Sequence, residues 1–133
     1  MKRVLVVEDN SDNLRLITYA LRRYGYEVIA AETGMKGVDM AISEHPVFII
    51  MDINLPDIDG LEATRRIRRS GANGEIPIIA ITSNAMAGDM DMVLAAGCTG
   101  YFEKPIDPLI IMDKIHALLG WPVGEERHEC PDR

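Results

Sequence analysis

Five polar residues stand at the ends of short apolar runs, and their types suit phosphoryl chemistry. Glu8 and Asp9 follow Val4-Leu5-Val6-Val7, and Asp52 follows the run 47–51. Thr82 ends a run that begins at Ile76, and Lys104 follows the run 99–103. If the fold gathers them, three carboxylates repel one another by on the order of several kcal/mol unless protons or a cation intervene. Mg²⁺ suits such a group, because it takes hard oxygen ligands, keeps some of its waters and leaves a position for a phosphoryl oxygen. A lysine ammonium and a threonine hydroxyl complement the equatorial oxygens of that phosphoryl group. A carboxylate is an established nucleophile in group transfer, and phosphoryl transfer asks the protein mainly for alignment and charge. Asp52 is the expected nucleophile. Taken singly, each acid reads as a helix cap or loop residue, and Lys104-Pro105 as a loop; the argument rests on the set.

The elements that must position this set are legible in the periodicity. Strands are predicted over 4–7, 27–31, 47–51, 76–81 and 99–103. Asn10-Ser11 opens a helix with Leu14, Ile17 and Leu21 on one face, and Gly25 ends it. Thr33-Gly34 opens a second, with Met35, Val38 and Ile42 inward, stopped by Pro46. A loop over 53–59 precedes a third helix carrying Leu61, Thr64 and Ile67. A turn over 71–75 follows. Met86, Met90, Val93 and Leu94 mark the fourth helix, which Gly97 closes, and Pro108 opens the fifth, with Ile111, Met112, Ile115, Leu118 and Leu119 inward. Five apolar strands alternating with five helices predict an α/β, doubly wound parallel sheet covered on both faces. The expected strand order is 2-1-3-4-5, with strand 5 at an edge and the ligand site at the switch point between strands 1 and 3. That order brings Glu8, Asp9 and Asp52 together, with Thr82 and Lys104 on the same rim.

Length and composition fit one domain. The chain has 133 residues, 47% hydrophobic and 26% charged, with net charge −7. An acidic surface repels phosphate backbones, so nucleic acid is not an expected direct partner. Cys98 and Cys130 lack metal-ligand spacing and read as reduced thiols. The first apolar run is too short for a leader or a membrane span. A cytoplasmic protein without membrane insertion is expected. The domain is expected to occupy 1–120, and the polar segment 121–133 to be a disordered tail.

At these residues the sequence resembles the receiver domain of two-component response regulators. The likeness runs from about Lys2 to Gly120. It is carried by Val6-Val7-Glu8-Asp9-Asn10 with Asn13, by Ile50-Met51-Asp52-Ile53-Asn54-Leu55-Pro56 with Asp59-Gly60, by Ala80-Ile81-Thr82-Ser83-Asn84-Ala85, and by Gly100-Tyr101-Phe102-Glu103-Lys104-Pro105. The resemblance implies a flavodoxin-like fold in which Asp52 accepts a phosphoryl group from a histidine kinase or a histidine phosphotransfer protein. It implies that Glu8, Asp9, Asp52 and the backbone carbonyl of Asn54 hold Mg²⁺, that Lys104 pairs with the phosphoryl group, and that the bond to Pro105 is cis. Thr82 and Tyr101 are then the switch residues, repositioning the face made by helix 4, strand 5 and helix 5 for a protein target or onward transfer. Asn54 and Asn84 are expected to tune the phosphoryl lifetime, and Asn13, Leu14, Ile17 and Thr18 to dock the kinase. The implied role is a single-domain regulator whose only catalysis is its own phosphorylation and dephosphorylation. A receiver excised from a hybrid histidine kinase is an alternative. Ser83, where alanine is frequent, departs mildly from the family pattern.

Two other classes compete. An aspartate-nucleophile phosphatase carries Asp-x-Asp, whereas position 54 is Asn. A flavodoxin-like electron carrier needs a phosphate-cradling loop after strand 1, where Glu8-Asp9 would repel the flavin phosphate. Arg65, Arg66, Arg68 and Arg69 read as a solvated helix face. Met86, Met90 and Met92 read equally as core and as adaptable binding surface. His116 reads as a surface histidine, and His45 and His128 have no supporting neighbours.

Overall fold

The computed structural model describes residues 2–71, 75–83 and 87–120, apart from the side chains of 87–89. The segment 121–133 and Asn84 therefore lie outside the described residues. The chain alternates β1 (Arg3–Val7), α1 (Ser11–Arg23), β2 (Glu27–Ala31), α2 (Gly34–Glu44), β3 (Phe48–Asp52), α3 (Gly60–Ser70), β4 (Ile78–Thr82), α4 (Ala87–Ala96), β5 (Gly100–Glu103) and α5 (Ile111–Leu119). The five strands form one parallel sheet in the expected order, β2-β1-β3-β4-β5, with β5 at an edge.

Strand side chains alternate between two cores. Leu5, Val7, Ile49, Met51, Ile78 and Ala80 face one layer, where they meet Val38 and Ala41 of α2, Ala63 and Ile67 of α3, and Val93 of α4. Val4, Val6, Phe48, Ile50, Ile79 and Ile81 face the other, against Ile17 and Leu21 of α1 and Met112 and Ile115 of α5. Every residue of β3 and β4 is buried, as runs apolar on both faces require.

Several boundaries differ from the expectation. Asp52 is the last residue of its strand rather than the first beyond it, because it pairs with Ile81, while Thr82 ends β4 as expected, paired with Glu103. Ile76 and Pro77 lie outside β4, where Pro77 has no N–H to donate. The last helix starts at Ile111. The Asp107 side chain takes the Leu109 amide at 2.9 Å, and its carbonyl takes the amides of Ile110 and Ile111, so 108–110 closes as a turn.

Burial corrects some faces. Met35, Met90, Met92 and Leu94 are exposed, and Leu118 is 38% exposed because it lies over edge strand β5, where a Cβ on Gly100 would stand 2.5 Å from its Cδ2. Arg68 is not a solvated side chain. Its Nη1 donates to the Ile76 carbonyl at 2.6 Å, and its Nε and Nη2 donate to the Gly97 carbonyl at 2.9 and 2.7 Å, joining α3 to the ends of two loops. Arg65, Arg66 and Arg69 do lie on the outer face, around Glu62. His116 is buried rather than on the surface, with Nε2 3.1 Å from Tyr26 Oη and its ring edge-on to Tyr24.

Candidate metal and phosphoryl site

The site is built at the carboxyl ends of β1, β3, β4 and β5. Beyond Val7, the Glu8 amide donates to the Ala31 carbonyl at 2.9 Å, which continues the ladder by one residue and seats Glu8 at the rim. Its side chain is 1% exposed, and Oε2 accepts the Asn10 amide at 3.2 Å. Asn10 in turn caps α1 by accepting the Asn13 amide at 2.9 Å. The turn that starts the helix therefore also fixes the carboxylate before it.

Asp52 is 2% exposed at the end of β3, and its Oδ1 accepts the Asn54 amide at 3.1 Å. Lys104 reaches in from the end of β5, its Nζ 3.3 Å from Asp52 Oδ2 and 3.6 Å from Glu8 Oε1. Its backbone amide donates to the Thr82 carbonyl at 2.7 Å, and the following bond to Pro105 is cis. Thr82 is buried on the same rim. Gly60 closes the loop behind Asp52. Its amide donates to the Ile53 carbonyl at 2.8 Å, and a Cβ there would collide with the Asp52 carbonyl and stand 2.8 Å from Ile53 Cα.

A divalent cation fits these residues. Glu8, Asp9 and Asp52 each offer a carboxylate oxygen, and the three oxygens lie within 4.8 Å of one another. Buried Glu8 Oε1 accepts no hydrogen bond. Burial first, and then the neighbouring Asp52, push the Glu8 carboxyl up to about 7. The negative charge of Asp52 beside it is what a cation offsets. Hard oxygens, one exposed acid at Asp9 and one ammonium describe a site that suits a divalent ion beside the Asp52 carboxylate.

The remaining predicted residues fall variously. Asn54 is exposed, with Nδ2 donating to Ser83 Oγ at 3.3 Å. Tyr101 is half-buried in β5 against the first core. Pro105 is exposed. Asn13, Leu14 and Thr18 are half-buried on α1, but Ile17 is 1% exposed and belongs to the second core, which withdraws its side chain from any docking surface. The groove along the outer side of α1 is lined instead by Leu14, Arg15, Thr18, Tyr19 and Arg22, of which Arg15, Tyr19 and Arg22 went unmarked in the sequence. Helical spacing of the neighbours that pack inward was the available signal for that outward face.

A doubly wound parallel sheet with three acids, a threonine and a lysine on its carboxyl rim is the arrangement of a receiver domain, and comparison with known proteins agrees. The family model described as "Response regulator receiver domain" matches residues 4–116. The chain belongs to that family. It is 38% identical over 119 residues to the polar-differentiation response regulator DivK of Brucella ovis, covering 90% of this chain and 97% of that one. Among solved structures, the receiver domain of sensor histidine kinase PA1611 from Pseudomonas aeruginosa, with a magnesium ion coordinated in its active-site cleft, is 36% identical with a TM-score of 0.81. That match covers 90% of this chain and 98% of the other. Chemotaxis protein CheY4 of Vibrio cholerae is 26% identical with a TM-score of 0.83, covering 89% and 98%. No helix among the described residues is long and apolar enough to cross a membrane.

Proposed function

We propose that residues 1–120 form a single-domain response regulator that takes a phosphoryl group onto Asp52 from a phosphohistidine of a histidine kinase or phosphotransfer protein. The observation that carries this reading is the position of Lys104 Nζ, 3.3 Å from Asp52 Oδ2, beside the clustered carboxylates of Glu8 and Asp9. In the transfer, an oxygen of Asp52 bonds to phosphorus as the phosphorus–nitrogen bond breaks, and the imidazole leaves with that electron pair. Glu8, Asp9, Asp52 and the Asn54 carbonyl are the residues that would hold Mg²⁺, which supplies neutralisation of the charge on the phosphoryl oxygens. Lys104 pairs with one of those oxygens, and the Thr82 hydroxyl donates to another.

The product changes the balance of two conformations. An acyl phosphate adds charge and acceptor oxygens at the rim, and Thr82 and Lys104 bind that form better. Tyr101, half-buried on β5 against the first core, moves with Thr82 and reshapes the face of α4, β5 and α5 for a protein target or for onward transfer. Asn54, and Asn84 in the segment outside the described residues, set how readily water attacks the acyl phosphate. Asn13, Leu14 and Thr18 belong to the kinase-facing side of α1. The protein works in the cytoplasm and turns over no external substrate. Asn54 in place of a second acid counts against phosphatase chemistry, and Glu8-Asp9 counts against a flavin phosphate. The likeness to the receiver domain of a sensor histidine kinase favours one second reading, in which this domain serves as the receiver of a larger kinase chain.

Borohydride tests the assignment, because it reduces an aspartyl phosphate to homoserine. After incubation with acetyl phosphate and Mg²⁺, homoserine is expected at position 52, and an Asp52→Asn variant should yield none. Homoserine at another acid, or full labelling of the Asn variant, would overturn the assignment.

A further inference from the structure

The loop between β3 and α3 carries Asn54, whose backbone the reading above turns toward the metal. Three sets of bonds hold this loop. At its start the Asn54 amide donates to Asp52 Oδ1 at 3.1 Å. At its end the Gly60 amide donates to the Ile53 carbonyl at 2.8 Å, and Asp59 caps α3 by accepting the Glu62 amide at 2.8 Å. The third set spans the fold. Asp57 Oδ1 accepts the Gly34 amide at 2.7 Å, and Oδ2 accepts the Met35 amide at 2.9 Å, so both oxygens are spent on the first turn of α2.

That helix already has a cap of its own, since Thr33 Oγ1 accepts the Lys36 amide at 3.1 Å. Asp57 satisfies two further amides that Thr33 leaves open, and it brings a negative charge to the positive end of the helix. The packing is close at this point. A Cβ on Gly34 would stand 2.6 Å from Ile58 Cγ1 and 3.0 Å from the Ile58 carbonyl. The amides of Met35 and Gly34, the former foremost, hold the Asp57 carboxyl below the usual carboxylate range, so the clamp is charged at neutral pH. Asp57 itself is not one of the clustered acids at the rim.

We propose that Asp57 is a positioning residue for the metal site, fixing the β3–α3 loop to α2 so that Asn54 is held at Asp52 before the cation arrives. Without the clamp, what holds residues 55–58 among the described residues is the packing of Leu55 and Ile58 on the first core, and the Asn54 carbonyl must be ordered at the expense of metal affinity. The step that forms the acyl phosphate uses none of Asp57's atoms, so its rate with the cation saturating is unaffected. The proposal rests on the reading of Glu8, Asp9, Asp52 and Asn54 as Mg²⁺ ligands.

The test compares wild type with Asp57→Ala and Asp57→Asn. Calorimetric titration with Mg²⁺ alone is expected to show about tenfold weaker binding for Asp57→Ala, the usual scale for a group that orients a metal ligand. Asp57→Asn keeps one acceptor oxygen and should fall between. Hydrogen exchange at the Gly34 and Met35 amides should speed up in step. In acetyl phosphate labelling, the Mg²⁺ concentration for half-maximal rate should rise by the same factor, with the saturated rate unchanged. Faster exchange at those amides with unaltered Mg²⁺ affinity would overturn the proposal, as would a loss confined to the saturated rate. If Asp57→Ala does not fold, Asp57→Asn decides by the same criteria. A wild type that binds Mg²⁺ but takes no phosphoryl group would defeat the functional reading and leave the calorimetric comparison to judge Asp57. A wild type that binds no Mg²⁺ would defeat both.

Discussion

Lys104 has two tasks at the rim. Its ammonium lies between Asp52 and Glu8 and offsets part of their repulsion. In the proposed function it also pairs with the phosphoryl group on Asp52, and so distinguishes the acyl phosphate from the resting carboxylate. Lys104→Ala is therefore expected to retain Mg²⁺ binding, since the oxygen ligands are untouched, and to lose the conformational response. Backbone chemical shifts of α4, β5 and α5, compared with and without beryllium fluoride and Mg²⁺, check this. A response equal to wild type would contradict the role given to Lys104. The acids and the lysine were legible in the sequence because each follows an apolar run. Asp57 was not, because its partners Gly34 and Met35 lie more than twenty residues earlier and only the folded loop brings them together.

Among the elements, the junction between β3 and α3 is the most constrained. Gly60 opens α3 directly against the backbone of Asp52, and the collision a Cβ would make there is with main-chain atoms that have no alternative rotamer. Gly60→Ala should destabilise the fold by about 1–3 kcal/mol or more, the range for overpacking a tight site. Denaturant unfolding measures this directly. A variant within a few tenths of a kcal/mol of wild type would show that the loop yields freely, contrary to the role given to it. Element existence was readable from periodicity throughout, and the boundaries less so. Asp52 joins its strand because the neighbouring strand supplies a ladder partner, which no local pattern reveals. In α4 the run Met90 to Leu94 is apolar on several sides, so the sequence offered no contrast to tell buried Val93 from exposed Met90, Met92 and Leu94.

For the molecule as a whole, the two cores and the sheet order followed from the pattern of five apolar runs and the helices between them. The contacts that lock the far end of the sheet did not. His116 of α5 is buried between Tyr24 and Tyr26, with Tyr24 Oη also donating to Asp113 at 3.3 Å. Burial lowers the His116 pKa below its ordinary 6.5, with Asp113 acting in the opposite direction. The unfolded chain thus takes up this proton at a higher pH than the folded one. The neutral histidine costs no stability above pH 6.5, and the His116 contribution to stability falls as pH drops through 6.5 toward the lower folded value, against the opposite contribution of the raised Glu8 carboxyl. Against a His116→Gln variant, the wild type should show this additional acid loss in denaturant unfolding between pH 7.5 and 5. Parallel pH profiles for the two proteins would contradict it.

The central claim is that Asp52 accepts a phosphoryl group at a site assembled with a divalent cation. Intact mass after incubation with acetyl phosphate, with and without Mg²⁺, tests it most directly. The account predicts a gain of one phosphoryl group that requires Mg²⁺ and disappears in Asp52→Asn. A gain independent of Mg²⁺, or one that survives in Asp52→Asn, would contradict it.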